Sequence, residues 1–390
     1  VDGVSRAAAG SARAGTRGAA PNVVAAGGWH AATPLAAFLN GTAAVALELD
    51  ESLPTGGHPA AHVVPAALAV AQERDCDGAR LAAAVVLGYE VAARLYRAHR
   101  FTYPAHPHGA LGAIGAAVAV ALLRESDPRA AARAAATLPL VATWEPCFEG
   151  ATARNAWTGA AALVGVLACD LAEAGIDGSA AAPQQLLELL TEPAATEELT
   201  APLDPGALAV TRSWTRVHGA AGPLHTAIEA ALQLRDRRRA AGDERALDAV
   251  VVETFERNRK FDRLPAANDL SARFSLPYVV AAALDGELGS PSSFVYDARV
   301  AALAERVEVR VAADIEATWP ARAAARVTVA SGGEQRHASC ELPLGHPERP
   351  LTAAERRARR AALLGAGVGA AALDGIATRT SVADLLRGIA

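Results

Sequence analysis

The sequence predicts a mostly α-helical protein, with a large all-α domain and a smaller α+β domain. Three observations point there. Hydrophobic residues make up 52% of the 390 residues but aromatics only 4%, so the interior is built from Ala, Val and Leu, which suits closely approaching helices. Small apolar residues recur at helical spacing through the first half. Beyond about residue 207 the pattern turns to β-branched runs of period two with helices between them. At roughly 100 to 200 residues per domain, the length fits two.

From about 34 to 180, Ala-rich stretches such as "HPAAHVVPAALAVAQERDCDG" and "RLAAAVVLGYEVAARLYRAHR" alternate with Gly/Pro/Asp punctuation. In "GALGAIGAAVAVALL" and "GAAALVGVLACDLAEAG" the small residues sit where two backbones can touch. Residues 183–206 read as a short helix and a linker. "DAVVVETFE", "RVEVRVAAD", "AARVTVASGG" and "QRHASCELPLG" then read as strands, with "SGGE" supplying a hairpin turn. "GPLHTAIEAALQLRDRRRAAG" and "NDLSARFSLPYVVAAALDGEL" are the intervening helices, and a capped helix starts at Thr352. The expected division is 1–206 with 350–390 as the helical core domain and 207–349 as the α+β domain.

Composition excludes several classes of function. A net charge of −5 without a dense Lys/Arg run argues against a nucleic-acid surface, which needs clustered cations. Cys76, Cys147, Cys169 and Cys340 lie far apart, with neither zinc-type nor disulfide-framework spacing, so a reduced, cytoplasmic protein is expected. The longest small-apolar run, 109–123, is shorter than the roughly 18 residues of a spanning helix, so neither a membrane segment nor a signal peptide is expected. Lys260 is the only lysine; of 37 basic residues the other 36 are arginines. Schiff-base chemistry on a pocket lysine is therefore not expected.

Polar groups cluster in five places. "NGTAAVALELDESLPTGGHPAAH" holds Glu48, Asp50, Glu51, Ser52, His58 and His62, acids leading into a Gly-rich loop with a His-Pro step; read blandly, it is a helix cap with a solvated acidic face. "FTYPAHPHGALGAIGAA" sets His106 and His108 before a helix start, where free N–H groups attract carboxylates. Arg154 precedes another small-residue helix and suits a bidentate carboxylate clamp. "RSWTRVHGAAGPLH" brings Arg216, His218 and His225 together, and Tyr278 sits on an apolar helix where a buried Tyr ordinarily needs only one partner for its hydroxyl.

Taken in order, "AAFLNGTAAVALELDES…GHPAAHVVPAALAVAQ", "AAAVVLGYEVAARL", "HPHGALGAIGAAVAVALL", "RNAWTGAAALVGVLACDLAEAGIDG", "ARFSLPYVVAAALDGE" and "PLGHPERPLTAAE" resemble the motifs of the MmgE/PrpD family. That family contains 2-methylcitrate dehydratase, cis-aconitate decarboxylase and iminodisuccinate epimerase. The likeness runs from about residue 30 to about 355. It implies a homodimer, a small polycarboxylate-type substrate held between core and lid, and no cofactor or metal. His58 falls on the family's HPS-type loop, His106 on its second His loop and Tyr278 on its lid tyrosine. Asp50 matches the centre of its acidic stretch, flanked by Glu48, Glu51 and Ser52, while Arg154 and Arg216 stand where its two pocket lysines do.

The reading that follows is a cofactor-independent lyase that ionises a C–H bond next to a carboxylate, with dehydration ranked first. His58 and His106 are its acid and base, Asp50 orients one of them, and Tyr278 closes the site. Arg154, Arg216, Ser52, His108, Glu48 and the helix start after His108 hold the substrate. Alternatives are a decarboxylase, an epimerase, a secondary-metabolism tailoring enzyme with a larger substrate, or a non-catalytic relative.

Overall fold

Small side chains decide how the first half packs. In the computed structural model, which describes residues 22–23, 29–286, 288, 294–364 and 376–382, eight helices follow in order. They are α1 (Thr33–Ala44), α2 (Pro59–Glu73), α3 (Gly78–Ala98), α4 (Ala110–Arg124), α5 (Pro128–Thr137), α6 (Glu145–Glu149), α7 (Ala156–Glu173) and α8 (Ala182–Leu190). Helix α4 is the axis: α2, α3, α5 and α7 all pack on it, and every residue from Ala110 to Ala121 is buried. Its approach to α3 is backbone to backbone. A Cβ on Gly88 would stand 2.6 Å from the Gly115 carbonyl oxygen, and one on Gly159 of α7 would stand 2.2 Å from the Phe38 carbonyl of α1. The Ala/Gly composition is thus what the geometry requires.

The stretch Thr152–Glu173, which contains α7, is long and apolar enough by length and composition to cross a membrane. The sequence reading expected no such segment, because polar residues at 152–155 obscure the length. In this fold α7 packs against α1, α4 and α5 as a core helix.

Short pairings missing from the sequence reading tie the helices together. Strands β1 (Asn22–Val23) and β2 (Trp29–His30) pair, as do β3 (His99–Phe101) and β4 (Thr191–Pro193). Two- and three-residue strands are too short to show a period.

The later part is built on a four-stranded sheet of β5 (Ala249–Thr254), β6 (Val307–Val311), β7 (Ala325–Ser331) and β8 (Glu334–Cys340), in the order β6-β5-β7-β8. Only β5 and β6 run parallel. The "SGGE" hairpin forms as its glycines suggest: Gly332 and Gly333 take φ of 56° and 81°, which residues with a Cβ adopt at a cost. Along β7 burial alternates residue by residue, and the inner face meets α9 (His225–Ala240), which also packs on α11 (Leu276–Asp285). Between them α10 (Asp269–Arg273) starts with a capping box from Asn268 and Ser271. Together the two parts make a mostly α-helical protein with a smaller mixed α+β region.

Beyond the sheet, α12 (Ala353–Leu364) starts at Thr352, whose Oγ1 accepts from Glu355 N at 3.2 Å while Glu355 Oε2 accepts from Thr352 N at 2.8 Å. Residues 376–382 lie against the start of α3. There Gly78 N donates to Arg379 O at 2.8 Å and Val382 N to Cys76 O at 3.0 Å.

Because the α1–α7 contact leaves no room for a methyl group, Gly159→Ala should destabilise the fold by about 1–3 kcal/mol. Urea unfolding measures this, and an unchanged midpoint would contradict the packing described.

Candidate active site

A cavity of about 570 Å³ opens between the helical part and the sheet-bearing part, lined from both. Its floor is the acidic stretch after α1, and other segments tie that stretch down. Arg273 Nη1 donates to Leu47 O at 3.2 Å, Arg359 Nη2 to Leu49 O at 3.0 Å and Arg216 Nε to Asp50 O at 2.8 Å. Glu48 is held with φ at +55°, a left-handed conformation that costs a non-glycine residue of order 1–3 kcal/mol. Its side chain supplies the compensation. Oε1 accepts from Arg154 Nη1 at 2.6 Å and Oε2 from Arg216 Nη1 at 3.2 Å, with all three side chains at most 3% exposed. Arg216 Nη2 also donates to Asp50 Oδ1. Two acids and two arginines therefore form a buried network without net charge. The acidic stretch is an internal support rather than a solvated face.

Asp50 in turn positions His58. Burial pushes the Asp50 carboxyl up, but Arg216, His58 and Arg154 together outweigh it and hold the group well below the usual carboxylate range. Its Oδ2 lies 3.0 Å from His58 Nδ1, which is also 2.8 Å from the Glu51 carbonyl oxygen. A carbonyl only accepts, so Nδ1 carries the proton and the lone pair is on Nε2. His58 lines the cavity at the N-cap of α2, where Pro59 fixes the first helical turn. Glu51 completes the turn by accepting from Ala60 N at 3.0 Å and from Tyr89 Oη at 2.5 Å. Burial, against those bonds, raises its carboxyl to about 7.

His106 and His108 line the same cavity. The His108 ring stands between the other two, its centroid 4.5 Å from that of His58 and 4.7 Å from that of His106. His106 Nδ1 accepts from His108 N at 3.1 Å, so its proton sits on Nε2. Burial, then Arg154, His58 and Lys260, lower His106 well below the ordinary imidazole range. This favours a neutral imidazole with its N–H on Nε2. His108 is likewise kept neutral by burial and by His58, and neither of its ring nitrogens has a hydrogen-bond partner among the described residues.

Of the two arginines, one has donors to spare. Arg154 spends Nη1 on Glu48 and, at 3.0 Å, on Asn155 Oδ1, whereas its Nη2 and Nε have no acceptor among the described residues. Arg216 gives four of its five N–H donors to Glu48, Asp50 and backbone oxygens, so it and Glu48 hold Asp50 while also lining the cavity. Ser52 lines the cavity, yet its Oγ donates to Leu53 O at 3.2 Å. At the helix start after His108, the N-cap amide of Gly109 donates to His62 Nε2 at 3.1 Å.

Two readings need fuller correction. Tyr278 does not line the cavity; it is buried within the sheet-bearing part, stacked on Tyr296, and its Oη accepts from Asp297 N at 2.7 Å. An apolar helix face buries Tyr wherever one polar partner is available, and here a backbone amide supplies it. Nor do His218 and His225 line the cavity. Lys260, set aside in the sequence reading, does line it. Its Nζ lies 3.5 Å from the centre of the Trp144 ring, and burial, with Arg257 nearby, lowers the amine to about 7. The ring face favours the ammonium by only about 0.5–2 kcal/mol, too little to offset burial.

Asp50, His58 and His108 each place one potential ligand atom within 4.8 Å of the others, the one trio among the described residues that could converge on a metal ion. The His58 Nδ1 proton given to the Glu51 carbonyl, and the Arg216 cation already on Asp50, favour the ion-free arrangement.

Both halves of the chain match one family. The MmgE/PrpD N-terminal domain matches residues 3–188 and the MmgE/PrpD C-terminal domain residues 218–378. The chain belongs to the MmgE/PrpD family, whose general character is that of carboxylate-processing, lyase-type enzymes. Comparison with curated proteins gives no match.

Removing the charge at Glu48 leaves buried Arg154 without its counter-ion and Arg216 with Asp50 alone, so Glu48→Gln should cost about 3–5 kcal/mol, read from urea unfolding. The buried histidines predict acid sensitivity. Burial holds His62 at about 4 and keeps His106, His108 and His225 well below 6.5. Folded-state values below the unfolded one mean that their stabilisation is complete above pH 6.5 and is lost as pH falls, by about 1.4 kcal/mol per pH unit for each. Glu51, raised from 4.5 to about 7, acts oppositely and gains as pH falls through 7. The balance is a loss of roughly 3 kcal/mol between pH 7.5 and 5.5, which urea midpoints at the two pH values measure.

Proposed function

We propose that this chain is a cofactor-independent lyase that removes a proton from carbon next to a carboxylate, with loss of water as the favoured outcome. The observation that carries this reading is that His58, supported by Asp50, and Arg154, whose buried Nη2 and Nε have no acceptor among the described residues, line the same cavity. A substrate carboxylate takes the Arg154 Nη2 and Nε donors in place of the missing acceptors. His58 Nε2 then removes the neighbouring C–H proton, while Asp50 stabilises the imidazolium that forms. Negative charge grows on the carboxylate oxygens as the enolate develops, and Arg154 with the neutral Nε2–H of His106 faces it. Proton return from His58 to a departing β-hydroxide completes dehydration. Return to the opposite carbon face would give epimerisation, and loss of carbon dioxide would reach the same carbanion by decarboxylation.

The size and walls of the cavity favour a second version of this reading. About 570 Å³ lies within the roughly 300–1,000 Å³ typical of drug-sized ligands, and Tyr96, Phe101, Trp144, Trp214 and Phe274 line it. A carboxylate bearing an apolar body fits such walls better than a bare tricarboxylate.

The test is to incubate the protein with 2-methylcitrate, citrate and cis-aconitate in deuterated water and follow the C–H signals by NMR. Deuterium uptake or dehydration of one acid is expected, and His58→Ala should lower its rate by about 10²–10⁴ with a nearly unchanged thermal midpoint. Inertness of all three acids would refute the small-polycarboxylate version, and full activity in His58→Ala would remove the base.

A further inference from the structure

Lys260 is a lone lysine among 37 basic residues, and its placement is unusual. It sits in the 3₁₀ segment Glu256–Phe261 with its Nζ on the face of Trp144, 5.2 Å from the Phe261 ring centre, and it contributes to the cavity wall. Surface lysines are solvated or paired with a carboxylate. Here the charged groups that bear on the amine are Arg257 of its own segment and the Cys147 thiol of α6. Across the cavity, His106 feels Lys260 as well. His106 also packs on Trp144, its ring centroid 4.2 Å away. No carboxylate salt-bridges Lys260 among the described residues, since Glu256 pairs with Arg259 instead. An amine without a counter-ion in an aromatic recess has its lone pair available to whatever enters the cavity.

We propose that Lys260 is a reactive amine that captures the carbonyl group of an oxo acid as an imine. Its Nζ lone pair attacks the carbonyl carbon, the C=O π pair moves to oxygen, and one amine proton follows to give a carbinolamine. The C–O bond then breaks, the second amine proton leaves with the hydroxide as water, and the C=N bond forms. The imine draws electrons from the adjoining carbon, so a neighbouring C–H bond is acidified without a metal or coenzyme. The choice of an oxo acid rests on the proposed carboxylate handle at Arg154; the capture itself depends on Lys260 alone.

The full chain is incubated at pH 7 with glyoxylate and, separately, with the uncharged glycolaldehyde, each with sodium cyanoborohydride, and is mapped by peptide mass spectrometry. The expected result is one reduced adduct on Lys260, formed at least about tenfold faster than on an exposed lysine peptide, because an amine near 7 is about half free base at that pH against a few parts in ten thousand for an ordinary lysine. Lys260→Arg, with folding checked by circular dichroism, should label only at the chain's α-amino group. Labelling of Lys260 no faster than the peptide, or only after denaturation, overturns the capture. Equal rates with glyoxylate and glycolaldehyde overturn the oxo-acid class. The deuterium-exchange experiment is read separately, so loss of either result leaves the other standing.

Discussion

The buried alternation of charges Arg154–Glu48–Arg216–Asp50 is the interaction on which the cavity depends. Each ion alone would be prohibitively expensive to bury, and the four are tolerable only together. The network joins the loop after α1, the turn before α7 and the segment leading to α9. It also holds Glu48 in a backbone conformation an isolated loop would leave. Asp50 stays ionised because Arg216 is fixed beside it, and His58 is oriented because Asp50 is ionised.

The same network divides the labour among cations. Arg216 commits most of its donors inside the network, Arg154 has two nitrogens without an acceptor among the described residues, and Lys260 stands apart on an aromatic face. Burial, with positive charge in and around the wall, holds His106 well below the ordinary imidazole range. The cavity thus sets histidines, an arginine and a lysine along one wall, the character of each fixed by its neighbours rather than by residue type.

Much of this was legible in the residues, for identifiable reasons. The helices could be read from Ala/Gly spacing because backbone contact demands small side chains, as at Gly88 and Gly159. The β7–β8 hairpin could be read because Gly-Gly permits positive φ. His58 stood out through its His-Pro step and the acids before it. Tyr278 misled, since an apolar helix gives no sign of whether its one hydroxyl meets substrate or a backbone amide. Lys260 was hidden in "FERNRKFDRL", a charged run that reads as solvated surface until the aromatic residues beside it are placed. Arg273 and Arg359 carried no signal, because an arginine that binds a distant carbonyl looks in sequence like any other.

Those distant carbonyl contacts bear on how molecules enter and leave. Arg216, Arg273 and Arg359 fasten three of the four residues Leu47–Asp50 through the backbone, so wide hinge-like separation of the two parts would strip a deep polar lining and expose it all at once. Trp319, Pro320 and Pro343, with Pro54 and Thr55, line the same cavity outside that fastening, so a passage between them would leave the interior latched.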